Sequence, residues 1–341
     1  MPSTLKDVAA RAGVHPSTVS RVLRGKENIP ISKATKDRIY AAVRELNYHP
    51  DKTARALRLR RSDAIGMVIP NIASPYFSGI ARTIDTLCNA AGFSLMIFDT
   101  NENQEKEIRA VDDLTSRGVD GLIVAPVQEE DRHIRDLVRE NFPLVLVDRH
   151  FEDIATSAVI CNDAESAYGA VKRLAELGHQ RIGFVCGQPN LYPVVKRLEG
   201  YKKALSDLGL PFSETFVSVG DATLESAYRS AHSLLSLSQK PTAFLISGTI
   251  TTLGAMKAIF EKGLRIPADV SILSFTDTVY APFLRVPITT IHHPVEEIGR
   301  LAFALLEEQM KSGAGEKGKK QEIVKMTLEQ RDSIAPPPAD S

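Results

Sequence analysis

No stretch of this 341-residue chain is apolar for long enough to span a bilayer. The start of the chain lacks the apolar core of a secretory signal, because charge begins at Lys6 and Asp7. These absences point to a cytoplasmic protein with no membrane partner. Cysteine is scarce: Cys88, Cys161 and Cys186 are far apart and show no CxxC or His-pair spacing. That excludes a disulfide scaffold and argues against a metal site, leaving reduced core thiols. Catalytic signatures are missing too. No strand is followed by GxGxxG, and no Ser/His/Asp set forms a nucleophile elbow. The segment GAGEKGKK (313–320) nearly fits a phosphate loop, but Lys320 stands where a hydroxyl should hold magnesium. It also lies between a helix and a strand in the wrong order. His292 and His293 are adjacent, a poor geometry for a metal, so packing or hinge polarity is the favoured role. The sequence therefore indicates no enzyme, no metal and no cofactor.

Net charge is also absent, yet its distribution is uneven. Residues 1–62 hold 14 Lys/Arg against 5 Asp/Glu, or +9, and the remainder carries −9. A small basic segment joined to a large acidic one suits a phosphate-backbone binder with a separate control module. Membrane-surface binding competes for a basic segment, but no amphipathic helix here is rich in large apolar residues. The composition, 43% hydrophobic and 25% charged, is that of an ordinary globular chain with room for two or three domains.

The basic segment is patterned. Leu5, Val8, Ala9 and Ala12 share one helix face, and Gly13 ends that helix. A second helix begins near Pro16 and buries Val19, Val22 and Leu23, leaving Ser17, Ser20, Arg21 and Arg24 outward. Two short helices about a tight turn form a helix-turn-helix pattern, whose second helix suits the major groove. A solvated helical hairpin shares this pattern; the charge split favours DNA. A third helix runs from a Ser32 cap to Leu46, with Ile39, Val43 and Leu46 inward. NYHPD (47–51) closes the head. KTARALRLRR (52–61) is basic and has little to pack with, so it is marginal as an isolated helix. Leu57 there either pads the linker or acts as a wedge between base steps in the minor groove.

From Ala64 onward, apolar runs of strand length alternate with helical segments. The strands expected are 64–69, 93–98, 121–125 and 144–148, then 181–186, 243–247, 271–275 and a last one over 322–328. Helices are expected over 79–91, 105–117, 164–177, 195–208 and 224–237. Such alternation with doubly buried strands predicts parallel α/β sheets in two similar lobes. Crossovers are expected near 160–163 and 290–294, with a ligand cleft at the carboxyl ends of the strands. KSGAGEKGKK (311–320) reads as a flexible loop.

The order of motifs resembles the lactose-repressor (LacI/GalR) family of bacterial transcription regulators. The landmarks are TLKDVAARAGV (4–14), STVSRVLRG (17–25), ELNYHPD…ARALR (45–58), IGMVIPNIASPYF (65–77), GVDGLIVAP (118–126), PLVLVDR (143–149), ELGHQRIGFVCG (176–187), RLEGYKKAL (197–205), PADVSILSF (267–275) and RVPITTIHHPVEEIG (285–299). The resemblance implies a small all-α helix-turn-helix head (1–49), a hinge helix (50–62) and a periplasmic-binding-protein-like α/β core of two parallel-sheet lobes. The lobes would comprise 63–161 with 293–323, and 162–292 with 324–334, followed by a flexible tail (335–341). It implies a sequence-specific regulator, expected to be a repressor, that binds double-stranded DNA at a near-palindromic operator as a homodimer. The proline-rich tail, which has no leucine heptad, speaks against a tetramer. DNA contacts are implied for Thr4, Pro16, Ser17, Thr18, Ser20, Arg21, Arg24 and Thr35 in the head, and for Ala54, Leu57 and Arg58 in the hinge. Arg21 has the donors to pair with guanine, and Pro16 offers apolar contact.

The resemblance also implies a small-molecule effector, a sugar or sugar derivative, between the lobes. Tyr76, Phe77, Asp148 and Arg197 match effector-contacting positions. Two positions depart from the sugar-binding pattern: Gly248-Thr249 replaces Asn-Asp, and Thr276 replaces Asp. Loss of these carboxylates with retention of Arg197 suggests an anionic sugar derivative rather than a neutral monosaccharide. The rival class is a solute-binding or enzymatic α/β protein whose head is an adaptor, and the charge split opposes it.

Overall fold

The computed structural model describes residues 3–23, 31–48, 62–275, 278–312 and 319–339. The expected contacts at Arg24, Ala54, Leu57, Arg58 and Thr276, and most of the 311–320 loop, lie outside them. The chain divides into two compact units, 1–62 and 63–341.

In the first unit, helices α1 (Leu5–Ala12), α2 (Pro16–Val22) and α3 (Lys33–Glu45) enclose Val8, Ala12, Val19, Val22, Ile39 and Ala42. Each helix starts on a side-chain cap. Thr4 and Asp7 form a reciprocal capping box, His15 Nδ1 accepts from the Ser17 N–H, and Ser32 Oγ accepts from the Thr35 N–H. Gly13 ends α1 at φ 66°, a left-handed conformation that turns the chain sharply into α2. A head with so few apolar residues depends on such local devices to define its helices.

The second unit holds two six-stranded sheets. The first contains β1 (Ala64–Ile69), β2 (Ser94–Asp99), β3 (Gly121–Val124), β4 (Leu144–Val147), β5 (Ser157–Cys161) and β11 (Gln321–Val324), in the order β11-β5-β4-β3-β1-β2 and all parallel. The second contains β6 (Ile182–Cys186), β7 (Val217–Val219), β8 (Ala243–Ile246), β9 (Ser271–Phe275), β10 (Thr289–His292) and β12 (Thr327–Glu329), in the order β12-β10-β9-β8-β6-β7. Only β12 runs antiparallel to its neighbour there. Central strands such as β3, β4 and β8 are buried along their whole length, as strands covered on both faces must be.

Helices α4 (Pro75–Ala91), α5 (Gln104–Ser116) and α6 (Arg132–Arg139) follow strands of the first sheet. Helices α7 (Asp163–Glu176), α8 (Tyr192–Asp207), α9 (Leu224–Leu234) and α10 (Thr249–Glu261) serve the second, and α11 (Val295–Ser312) returns to the first. The sequence pattern missed α6, α10 and α11. In α10 the opening TITT is β-branched and buried positions occur around much of the helix, so no clean amphipathic period appears.

The chain passes between sheets after β5, after β10, and again at Lys325-Met326. The single strand expected over 322–328 is therefore two strands in different sheets. Asn162 fastens this crossing: its N–H donates to the Val324 carbonyl, and its Oδ1 accepts from the Met326 N–H at 2.8 Å. The three cysteines are buried free thiols, and burial pushes Cys88 and Cys186 up to about 12.

Gly200 lets α8 lie directly against α7. A Cβ there would sit 2.0 Å from the Ala164 carbonyl oxygen, so the helices would have to separate. Gly200→Ala is expected to destabilise the core by about 1–3 kcal/mol, the usual cost of overpacking, and urea unfolding measures it. An unchanged midpoint would contradict the close approach.

Candidate functional site

The second unit has a cleft of about 170 Å³ between its sheets. It opens where β1, β4, β6 and β8 end, the position at which parallel sheets leave backbone and helix termini free for a ligand. Tyr76 and Phe77 enter from the first turn of α4, with ring centroids 5.0 Å apart. Asp148 follows β4 in a left-handed conformation, φ 65°, which turns its carboxylate and the next residue, Arg149, into the cleft. Arg197 comes from α8, and Gly248 and Thr249 from the start of α10. The five expected effector residues among the described ones, Tyr76, Phe77, Asp148, Arg197 and Thr249, thus converge.

Arg197 is buried, and each of its three guanidinium nitrogens is hydrogen-bonded. Its Nε donates to Asp163 Oδ1 at 2.6 Å, Nη1 to the Ser247 carbonyl at 2.7 Å, and Nη2 to His293 Nε2 at 3.3 Å. The guanidinium also lies 4.0 Å from the centroid of the Phe275 ring. Burial raises the Asp163 carboxyl to about 6, opposed by the Arg197 charge. Burial likewise raises Asp148, opposed by Arg149 and Arg197. His293 is pushed well below its ordinary range by burial and then by Arg197, so it stays neutral and accepts from the arginine. Arg149 forms a two-pronged pair with Glu102, at 2.8 and 2.7 Å.

Glu102, Arg149 and His293 line the cleft with the expected residues, and Asp163 supports it through Arg197. Sequence reasoning missed the first two, used Asp163 only as a crossover marker, and left His293 to packing. No local spacing marks them, since their partners are tens of residues away. The charges of the cleft weigh against the expected anionic effector. Glu102, Asp148 and Asp163 outnumber Arg149 and Arg197, and each guanidinium has a carboxylate partner. Five buried polar atoms at the cleft, Tyr76 Oη, Arg149 Nε, Asp163 Oδ2, Thr249 Oγ1 and His293 Nδ1, have no hydrogen-bond partner.

One edge of the cleft is clasped. Gln128, at φ 69° in the first lobe, donates to the His150 carbonyl and accepts from the Tyr192 N–H, each at 2.8 Å. It thereby supplies a cap to α8, which has no side-chain cap of its own. The His150 and Tyr192 rings meet edge-on at 4.3 Å, and Lys196 pairs with Glu152 at 3.1 Å.

In the head, Ser17 and Arg21 are exposed on α2, opposite the buried Val19 and Val22, and Pro16 is its first residue. Thr18 and Ser20 are half-buried on the same helix. Thr4 and Thr35 occupy the first turns of α1 and α3, where their hydroxyls bond Asp7 and Ser32.

A helix-turn-helix unit joined in one chain to a two-lobed module with a polar cleft defines a ligand-controlled DNA-binding protein. The comparisons with known proteins make the class particular. Residues 4–51 match the family described as bacterial regulatory proteins, lacI family, and residues 171–334 match the periplasmic binding protein-like domain. The chain is 32% identical, over 91% of both sequences, to the HTH-type transcriptional repressor PurR of Yersinia pestis bv. Antiqua (strain Antiqua). It superposes with a TM-score of 0.85 and 27% identity on a lac repressor dimer bound to operator and the anti-inducer ONPF, covering 98% of this chain and 100% of that one. A LacI family regulator from Enterococcus faecium with bound ribose gives a TM-score of 0.72 at 26% identity, over 80% and 99% of the two chains. This chain belongs to the lacI family of bacterial regulatory proteins. It is a DNA-binding transcriptional regulator controlled by a small-molecule effector.

His293 gives the core a pH signature. Its folded pKa lies below the ordinary 6.5, so the unfolded chain holds the proton more tightly. Stability from the neutral ring is present above pH 6.5 and lost as pH falls below it. Asp163, raised to about 6 from 3.8, works in the opposite sense, losing its contribution as pH rises through 6. His293→Gln keeps an acceptor for Arg197 and removes the titration. Its thermal midpoint should fall less than that of the unsubstituted protein between pH 7 and 5, measured by differential scanning fluorimetry.

Proposed function

We propose that this protein is a homodimeric repressor acting in the cytoplasm on near-palindromic operators, released or recruited by a neutral, hydroxyl-rich effector of sugar size. The observation that carries the effector class is the charge pairing in the cleft. Neither guanidinium is left to meet an anion, while a mixture of donors and acceptors stays unpartnered. Sugar hydroxyls donate and accept at once, and so satisfy carboxylate oxygens and Arg149 Nε together. Tyr76 and Phe77 offer ring surface to the apolar face of such a molecule. The ribose in the Enterococcus faecium regulator accords with this chemistry. Titration calorimetry against neutral pentoses and hexoses, with gluconate and phosphates as contrasts, tests it. Binding confined to the anions would refute it.

Ser17 and Arg21 on the exposed face of α2 are the residues assigned to base edges, with Arg21 paired to guanine. Arg21→Ala should weaken specific binding by about 1–3 kcal/mol per half-site, the value of one bidentate base contact, in gel-shift titrations. Residues 50–62, with Leu57, are assigned to the minor groove between half-sites. Cleft closure would alter how the cores pair and thereby whether this segment docks.

The surface after β9 supports the homodimer. Val279 is 87% and Phe283 85% exposed, with Tyr280 between them. Adjacent exposed apolar side chains of this size mark an association site. Phe283→Asp is expected to yield a monomer by analytical ultracentrifugation while leaving effector binding intact.

A further inference from the structure

Arg149 is the cleft's second guanidinium, and its surroundings differ from those of Arg197. It is 5% exposed, and its forked end is closed by the Glu102 carboxylate through both terminal nitrogens. Nη1 also donates to the Pro126 carbonyl at 3.2 Å. Nε has no hydrogen-bond partner, with Asp148 Oδ2 standing 3.6 Å away. Glu102 is held in place by its backbone. Asn101 and Glu102 both adopt left-handed conformations, at φ 51° and 54°, and the Glu102 N–H donates to the Pro70 carbonyl at 3.1 Å. Non-glycine residues persist in such conformations only where the surroundings fix them, and two in succession here aim one carboxylate at one arginine.

We propose that the Glu102–Arg149 pair is the charge filter of the cleft, a specificity determinant that admits neutral hydroxyl-bearing ligands and rejects carboxylates and phosphates. The inference rests on the reading of the cleft as a sugar site and names the residue that sets its charge class. The forked face of a guanidinium is the part that grips carboxylate or phosphate with two parallel bonds. Glu102 occupies that face. The one nitrogen of Arg149 without a hydrogen-bond partner is Nε, beside the Asp148 carboxylate. One hydroxyl group fits there, accepting from Nε and donating to Asp148, whereas an anion would meet carboxylates on both sides. Glu102 is also the most solvent-accessible of the charged side chains in the cleft, with a quarter of its side chain exposed against 6% for Arg149 and 1% for Asp163. Removing its charge leaves the buried fork of Arg149 without its matching carboxylate, the state the filter prevents.

The test compares the full-length protein with Glu102→Gln, which keeps an oxygen for one Arg149 donor. Calorimetry would use ribose and glucose as neutral probes, and gluconate and inorganic phosphate as anionic ones. The expected result is no heat from either anion with the unsubstituted protein, and at least a tenfold gain in affinity for gluconate or phosphate in Glu102→Gln. Adding Arg149→Met to that variant should abolish the gain. A folded Glu102→Gln that still ignores both anions overturns the proposal, as does an unsubstituted protein that binds them. A gain surviving Arg149→Met also overturns it. Glu102→Ser serves the same comparison if the glutamine variant fails to fold. Failure of every neutral sugar to bind the unsubstituted protein would overturn the sugar reading alone, because the anion comparison still decides whether Glu102 excludes charge.

Discussion

The buried pair between Arg197 and Asp163 is the constraint on which the core turns. Asp163 directly follows the first passage between sheets, and His293, on the other side of the guanidinium, directly follows the second. The Ser247 carbonyl, at the end of β8, takes another donor. One side chain thus ties two inter-lobe passages to the rim of the cleft. Two charges with almost no solvent cost several kcal/mol to desolvate, and only multiple hydrogen bonds and good geometry offset that. Each of the three guanidinium nitrogens of Arg197 makes a hydrogen bond. The close approach of α7 and α8 at Gly200 brings the pair together, so packing and electrostatics there cannot be separated.

This constraint explains why the cleft is polar yet poor in available charge. The arginine that sequence comparison suggests for ligand contact is already matched, and Arg149 is matched in the same way by Glu102. What remains for a ligand is a set of single donors and acceptors arranged around two aromatic rings. The Gln128 clasp adds a second physical theme: a helix that lacks its own cap borrows one from the opposite lobe. The N-terminal stability of α8, which carries Arg197, is therefore coupled to the separation of the lobes. A change in that separation alters the environment of the arginine that lines the cleft.

Much of the fold was legible because its strands are doubly buried. Runs such as AIGMVI and GLIVA admit few alternatives once helical segments alternate with them. The helix-turn-helix was legible from Gly13, Pro16 and the period between them. Helix α10 was not, because buried residues with a β-branched start erase the period. The break at Lys325-Met326 was hidden because both flanking strands are short and alternate alike, and only Asn162, far away in sequence, shows that they separate. In the cleft, Tyr76, Phe77, Asp148, Arg197 and Thr249 were legible through motif order. Glu102 and Arg149 were not, since their pairing spans 47 positions and depends on left-handed turns with no glycine to announce them. Counting lost carboxylates likewise cannot reveal which retained ones neutralise an arginine.

The threading of the chain between sheets has a consequence in time. The first lobe receives α11 and its edge strand β11 only from residues 295–324, after every strand of the second sheet except β12 has been made. The head, with its own small core, is complete by residue 48. At a synthesis rate of about 5–20 residues per second, the interval between the two is roughly 15–55 seconds. During each round of translation the DNA-reading unit exists before the lobe that completes its control can close.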